Sequence, residues 1–213
     1  MSNLTHSQYG LAFHTTSVQL GLSISDFSKE TYSQTWDIDH KLSTHLHQYL
    51  IEFIGSITWE KIAFIAVAKG PGSFTSTRIG VVTARTLAQQ LNIPLFSIST
   101  LEAFAWQIRN NYSVDALVPV QMSASRGKLY VAIYKVKNKD QKFTIILPDM
   151  VINPDTWKQK IRDLNIKIKP AITPEKLGFT VTSILELAYH DWRQEKRPHW
   201  SDTIPFYGMS VVS

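Results

Sequence analysis

Apolar and polar positions change period several times along the 213-residue chain, and each change marks an element. Tyr9 to His14 is a short apolar run that predicts a strand, followed by a Thr15-Thr16-Ser17 turn. From Val18 to Ile24 the pattern alternates, so that Val18, Leu20, Leu22 and Ile24 share one face, as the period of a strand requires. Lys29 to Trp36 is a third, weaker strand, and the three together predict an antiparallel meander. Leu42 to Ile54 switches to steps of three and four, which puts Leu42, Leu46, Tyr49, Leu50 and Phe53 on one helical stripe, with Ser43 or Asp39 as cap. A continuous apolar run, Ile62 to Ala68, then reads as a buried strand. A helix over Thr75 to Leu91 follows, ended by Asn92-Ile93-Pro94 because proline disfavours helix in the residue before it. Leu95 to Ile98 is a further strand, and Thr100 to Arg109 a helix with Thr100 as its cap.

From Ala116 the order restarts: strand Leu117 to Met122, turn Ser123 to Gly127, strand Lys128 to Lys135, and a third strand Lys142 to Leu147. The echo of the opening hairpin predicts two related lobes, residues 1–110 and a shorter 111–213. Two helices complete the second half: Pro154 to Leu164, with proline in its first turn, and Thr180 to Glu195. Pro205 to Val212 reads as irregular or a short strand.

Between the strand Ile62 to Ala68 and its helix lies Lys69-Gly70-Pro71-Gly72-Ser73-Phe74-Thr75-Ser76-Thr77-Arg78-Ile79-Gly80. Gly70 and Gly72 admit backbone angles that other residues resist, and Ser73 or Thr75 suits a helix cap. Such a turn delivers a helix N-terminus to the carboxyl edge of a strand, where anions bind, which makes Gly72, Ser73 and Arg78 candidate phosphate contacts. The stretch lacks the Lys-Ser/Thr ending of a P-loop and the glycine spacing of a dinucleotide fingerprint.

Composition narrows the chemistry. The chain has no cysteine, which excludes disulfides and thiolate metal sites, and no apolar run near the roughly 20 residues that span a bilayer. Met1 to Gln8 has no basic region leading into an apolar segment, so a cytoplasmic protein is expected. The net charge is +5, with basic residues gathered from Lys135 to Lys142 and from Arg193 to Arg197. That balance favours RNA or an acidic partner, though neither run is long enough to define an RNA site by itself.

The string Gly-Pro-Gly-Ser-Phe-Thr-x-x-Arg-Ile-Gly, continued by Leu87-Ala88, Ile93-Pro94-Leu95 and Ser97-Ile98-Ser99-Thr100-Leu101, resembles the signature of the TsaB (YeaZ) family. The likeness runs from about Leu11 to Tyr134. It implies the two-lobe, ribonuclease-H-like α/β fold of the actin, Hsp70 and sugar-kinase superfamily, here with a reduced second lobe. It also implies a part in adding the threonylcarbamoyl group to the adenosine beside the anticodon of tRNAs that read codons starting with A. In that family the catalytic transferase is TsaD. TsaB is its non-catalytic partner, TsaE joins them, tRNA is met only through the complex, and isolated TsaB proteins often form homodimers.

Active members of the superfamily hold Mg²⁺ and nucleotide with a carboxylate in each lobe's first hairpin. Where the resemblance places those carboxylates, this chain reads His14-Thr15-Thr16 and Ser123-Ala124-Ser125-Arg126. Imidazole and hydroxyl are poor ligands for so hard an ion, so neither enzyme activity, metal nor cofactor is expected. The His-x-x-x-His pair that the transferase uses is missing over Glu102 to Trp106, and His45 and His47, two apart, point to different sides of a helix. No Ser-His-Asp set suits a peptidase. An actin-like ATPase or small-molecule kinase is the alternative, and an independent RNA-binding module a third reading.

In the family, docking on TsaD uses helices of the first lobe. Gly80, Ala84 and Ala88 form a small-residue ridge that admits another helix, or else packs on the protein's own sheet. The candidate partner contacts are Leu46, Tyr49, Gly80, Ala84 and Arg85.

Overall fold

The architecture comes from a computed structural model that describes residues 8–28, 31–38, 42–138 and 141–208. Three strands, β1 (Tyr9–His14), β2 (Gln19–Ser25) and β3 (Thr31–Asp37), form the antiparallel meander. Helix α1 (Leu42–Ile54) follows. The run Ile62–Ala68 is strand β4, and Leu95–Ile98 is β5. Both lie parallel to β1, giving the order β3-β2-β1-β4-β5. Central parallel strands are covered on both faces, which is why β4 reads as an unbroken apolar run.

Helices α1 and α2 (Phe74–Leu91) cover one face of this sheet. Leu42, Leu46 and Leu50 pack there with Val81, Ala84 and Ala88 against Leu11, Leu22 and Ile65. The other face meets α3 (Thr100–Ile108) and α5 (Val181–Arg193), where Trp106, Ile184 and Leu187 pack on Ala12, Phe64 and Ala66. Helix α5 therefore returns from the second half of the chain to close the first sheet.

The second sheet has the order β8-β7-β6-β9, built from β6 (Leu117–Ser123), β7 (Leu129–Lys135), β8 (Thr144–Ile152) and the two-residue β9 (Ala171–Ile172). Helix α4 (Pro154–Asp163) sends Trp157 into a small core with Val131 and Ile133. The other side of α3, through Leu101, Phe104 and Ala105, fills the core of this sheet, so α3 is shared by the two.

Three local expectations change. The strand expected over Lys142 to Leu147 starts at Thr144 and continues to Ile152. Its pairing with β7 shifts between Val131 and Ile133, the step at which Pro148 and Asp149 are accommodated. Proline is tolerated there because β8 is an edge strand with a bulge. Ser99, not Thr100, caps α3, accepting from the amides of Leu101 (3.0 Å) and Glu102 (3.2 Å). Ser43 lies within α1 rather than before it, and Asp39 is outside the described residues. The segment 203–208 has no regular structure and works as a strap: the Phe206 amide donates to the Lys69 carbonyl (2.7 Å), and the Tyr130 hydroxyl donates to the Tyr207 carbonyl (3.4 Å). Residues beyond 208 in the expected Pro205 to Val212 segment are outside those described.

Candidate functional site

A cleft of about 440 Å³ opens between the two sheets. One wall is the β1–β2 turn (Thr16, Ser17, Val18) with Gly72 and Ser73; the other is the end of β6 (Met122, Ser123) with the loop Thr173 to Leu177. Glu175 is the one acidic residue among the described residues that line it. Hydroxyls dominate the remaining polar lining, and as neutral groups they are weaker acceptors than a carboxylate pair.

The floor is fastened from both sides. The Ser73 amide donates to the Thr16 carbonyl (2.8 Å), and the Thr100 amide donates to the Gly70 carbonyl (2.9 Å). Thr16 Oγ1 lies 3.0 Å from Thr100 Oγ1 and 3.3 Å from His14 Nε2. A Cβ on Gly72 would overlap the Thr16 carbonyl, so only glycine lets the two turns meet. A Cβ on Gly80 would overlap Thr15 Oγ1, which fixes how closely α2 rides on the hairpin turn.

His14 sits beneath this floor, fully buried. Burial holds its pKa down at about 3, a contact with its own backbone partly opposing, so the ring is neutral at physiological pH. Among the described residues neither His14 Nδ1 nor Thr15 Oγ1 has a hydrogen-bond partner. His14 is thus a buried element of the hinge and does not line the cleft, whereas Ser123 does.

The candidate phosphate contacts separate. Gly72 and Ser73 line the cleft; Arg78 lies over the Phe74 ring, 5.4 Å from its centroid, and is not among the lining residues. Ser73 caps α2, its Oγ accepting from the Ser76 amide (3.4 Å), while its carbonyl accepts from the Thr77 amide (2.9 Å). Much of the amide cluster at this helix start is therefore already bonded within the protein.

The candidate partner contacts also separate, and three are corrected. Leu46 and Ala84 have no exposure, and Gly80 is buried against Thr15. The stripe and the ridge that they define face the protein's own sheet. Tyr49 and Arg85 are half-buried: Tyr49 packs on Trp36 (4.9 Å between centroids) and Arg85 lies over Trp200 (5.8 Å). The outer surfaces of α1 and α2 instead expose Ile51 at 67% and Val82 at 59%. His45 and His47 are half-buried and exposed on α1, and among the described residues no group of histidines and carboxylates is placed to hold a metal ion.

A buried polar cluster escaped the sequence reading. The Tyr134 hydroxyl donates to Asp149 Oδ1 (3.1 Å), and Lys142 Nζ bridges Asp191 (2.8 Å) and Glu102 (3.8 Å). Burial pushes up the Glu102 and Asp149 carboxyls, eased by Lys142 for the first and by Ser99 and Tyr134 for the second. Burial acts on Asp191 too, but the Lys142 and Lys196 ammonium groups outweigh it and hold that carboxyl low. Its members lie far apart in sequence, and no local motif announces them.

The sheet order, the shared helix α3 and the interlobe cleft define a two-lobe α/β protein of the ribonuclease-H-like, actin-related class. The family model described as TsaD: tRNA N6-adenosine threonylcarbamoyltransferase matches residues 41–184. The chain belongs to the TsaB (YeaZ) branch of this threonylcarbamoyladenosine family. It is similar to the tRNA threonylcarbamoyladenosine biosynthesis protein TsaB of Bacillus subtilis, 36% identical over 104 residues, 49% of this chain and 43% of the relative. The protein of the same name from Buchnera aphidicola (Schizaphis graminum) is 27% identical over 130 residues, 53% of this chain and 61% of the relative. The match thus spans about half the length of these curated relatives. The solved structure of YeaZ from Pseudomonas aeruginosa shares the fold, with a TM-score of 0.75 at 17% identity over 94% of this chain and 100% of that one.

Proposed function

We propose that this chain serves tRNA threonylcarbamoyladenosine biosynthesis as a non-catalytic subunit that docks and activates the TsaD transferase. The observation that carries this reading is the lining of the interlobe cleft. Of the two positions where the resemblance places carboxylates, Ser123 presents a hydroxyl to the cleft and His14 is buried beneath its floor, and the one acid that lines the cleft among the described residues, Glu175, is on an exposed loop. Magnesium–nucleotide chemistry asks for charged oxygen ligands on both walls. The names of the similar proteins support the biosynthetic role; TsaE as a further member of the assembly is what the family resemblance implies.

Docking uses the outer side of α1 and α2, where Ile51 and Val82 are exposed, Val82 three residues before Arg85 on α2. Exposed apolar residues near an arginine suit an interface. The same surface suits a homodimer of the isolated chain. The test is reconstitution: purified TsaD, TsaE, tRNA and the threonylcarbamoyl adenylate, with and without this chain. Modification that depends on the chain, together with no ATP turnover by the chain alone, is the expected pair of results. Full modification without it would overturn the role.

A further inference from the structure

We infer that two copies of this chain join edge to edge through β3, antiparallel about Gln34, so that their five-stranded sheets run on as one. Among the described residues the sheets end in β3, β5, β8 and β9, and all but β3 are blunted against further pairing. The Leu95 amide on β5 is taken by the Pro198 carbonyl (3.2 Å), β8 carries Pro148 and a break in register, and β9 has only two residues. Strand β3 has no such guard. It runs seven residues from Thr31 to Asp37 with no lysine, arginine or proline, and its pairing with β2 holds register from end to end. Its threonines and aromatics are residues that favour strand.

The outward backbone groups follow from the ladder. The Ile38 amide donates to the Val18 carbonyl (3.3 Å), one step beyond the Gln19–Asp37 pair. Bonded and unbonded pairs alternate in an antiparallel ladder. Tyr32, Gln34 and Trp36 therefore bond to β2, while Thr31, Ser33, Thr35 and Asp37 turn amide and carbonyl away from it. Among the described residues no strand lies on that side, and none of those four amides donates to another backbone group. The row is self-complementary. A twofold axis at Gln34 sets Thr31 of one copy opposite Asp37 of the other, and Ser33 opposite Thr35, so every outward amide and carbonyl of both strands is used. A register centred on Ser33 or on Thr35 leaves Asp37 or Thr31 outside the pairing. The axis at Gln34 also places Tyr32 of one copy across from Trp36 of the other, in the closer, unbonded kind of pair, where aromatic side chains contribute most. Tyr32 stacks on Phe53 (5.0 Å between centroids) and Trp36 packs on Tyr49 (4.9 Å), so the join links two aromatic rows. Tyr32 is 53% exposed, and the join takes that ring out of water. Asp37, the one charge on β3, meets a threonine across the join and no second carboxylate. An unrelated peptide would supply the hydrogen bonds alone; the matched aromatics and the spacing of the charge single out a second copy.

The experiment is sedimentation equilibrium of the full chain over a wide range of concentration, with thermal melts to certify the fold of each variant. Thr35→Pro removes an outward donor that the single chain does not use, a place where an edge strand tolerates proline. Gln34→Lys sets two ammonium groups face to face across the axis. The parent should reach the mass of two chains and Thr35→Pro should stay at one. Gln34→Lys should weaken dimerisation about fivefold, and an equimolar mixture with Gln34→Glu should restore it. The register is read with thiols, since the chain has no cysteine. In Gln34→Cys the two sulfurs face each other from Cα atoms about 4.5 Å apart, within disulfide reach. In Tyr32→Cys the matching thiol lies four residues along the other strand, roughly 14 Å away. Val82→Cys, on the exposed side of α2, reports a dimer made through that helix instead. Gln34→Cys should crosslink under mild oxidation well ahead of the other two. A parent that stays monomeric, a Gln34→Cys chain that crosslinks no faster than Tyr32→Cys, or preferential crosslinking of Val82→Cys would each overturn the inference, the last by assigning self-association to α2. The inference does not rest on the docking role proposed above, which reconstitution tests separately.

Discussion

Acidification should destabilise this protein through His14 before most carboxylates titrate. In the unfolded chain the imidazole takes a proton near its ordinary pKa of 6.5; in the folded protein burial holds that pKa at about 3. The unfolded state therefore binds more protons throughout that window, and stability rises with pH across it. The contribution is complete above 6.5 and is lost progressively down to about 3. A separation of this size corresponds to about 5 kcal/mol, a large part of the roughly 5–15 kcal/mol that holds a domain together. Glu102 and Asp149 act in the opposite sense, since burial raises their pKa values and the folded protein accepts their protons more readily. The measurement is therefore a difference. Urea unfolding followed by tryptophan fluorescence is run from about pH 7 to pH 4 on the parent and on His14→Gln, which cannot titrate. The parent should lose stability by up to about 1.4 kcal/mol per pH unit relative to the variant below the histidine range. Parallel stability curves for the two proteins would refute the reasoning.

Four further outcomes follow from particular contacts. Gly80→Ala should cost about 1–3 kcal/mol in urea unfolding despite a better helix former, because its Cβ meets the buried Thr15 side chain, and Thr15→Ala in the same chain should recover part of the loss. Ser73→Ala should cost about 1 kcal/mol by the same assay, through the lost cap on α2. Isothermal titration with Mg–ATP should give no heat of binding for the isolated chain; a strong exotherm would contradict the reading of the hydroxyl-lined cleft. Val82→Glu, on the exposed side of α2, should abolish co-purification with TsaD while the melting temperature stays put, and unchanged co-purification would remove that surface from the interface.

What the sequence made legible were the elements whose neighbours are fixed by their own pattern. Strand β4 announces itself because both its faces are covered, and α1 because Leu42, Leu46, Leu50 and Phe53 recur at helical steps. The same pattern does not say what a stripe faces. Leu46 and Ala84 have the chemistry of an interface core and of a protein core alike, and only the placement of α1 and α2 on the sheet decides for the core. Gly80 was open to either reading for the same reason, and Thr15 settles it. Strand β8 outran its expected end because Pro148 breaks a strand pattern that a bulged edge tolerates. The return of α5 to the first sheet and the meeting of Lys142 with Asp191 are long-range facts, invisible to any local window.

These contacts also explain how a cleft of this ancestry can serve as a rigid body. Members that bind nucleotide between two lobes need free amides at the glycine turn and freedom for the lobes to close. Here the Ser73 amide is taken by Thr16, the Ser76 amide by the Ser73 hydroxyl, and Gly70 is tied to Thr100. The 203–208 strap then joins the turn to the second sheet, through Phe206 at Lys69, Tyr207 against Phe74 at 4.7 Å, and Tyr130 at Tyr207. Donors that would greet a phosphate are spent on holding the floor, and the strap resists the hinge motion that closure requires. The same bonds fix the angle at which α2 leaves β4, and with it the placement of the outer surface of α2. If the proposed docking role holds, a surface held rigid in this way would lose little conformational freedom on binding.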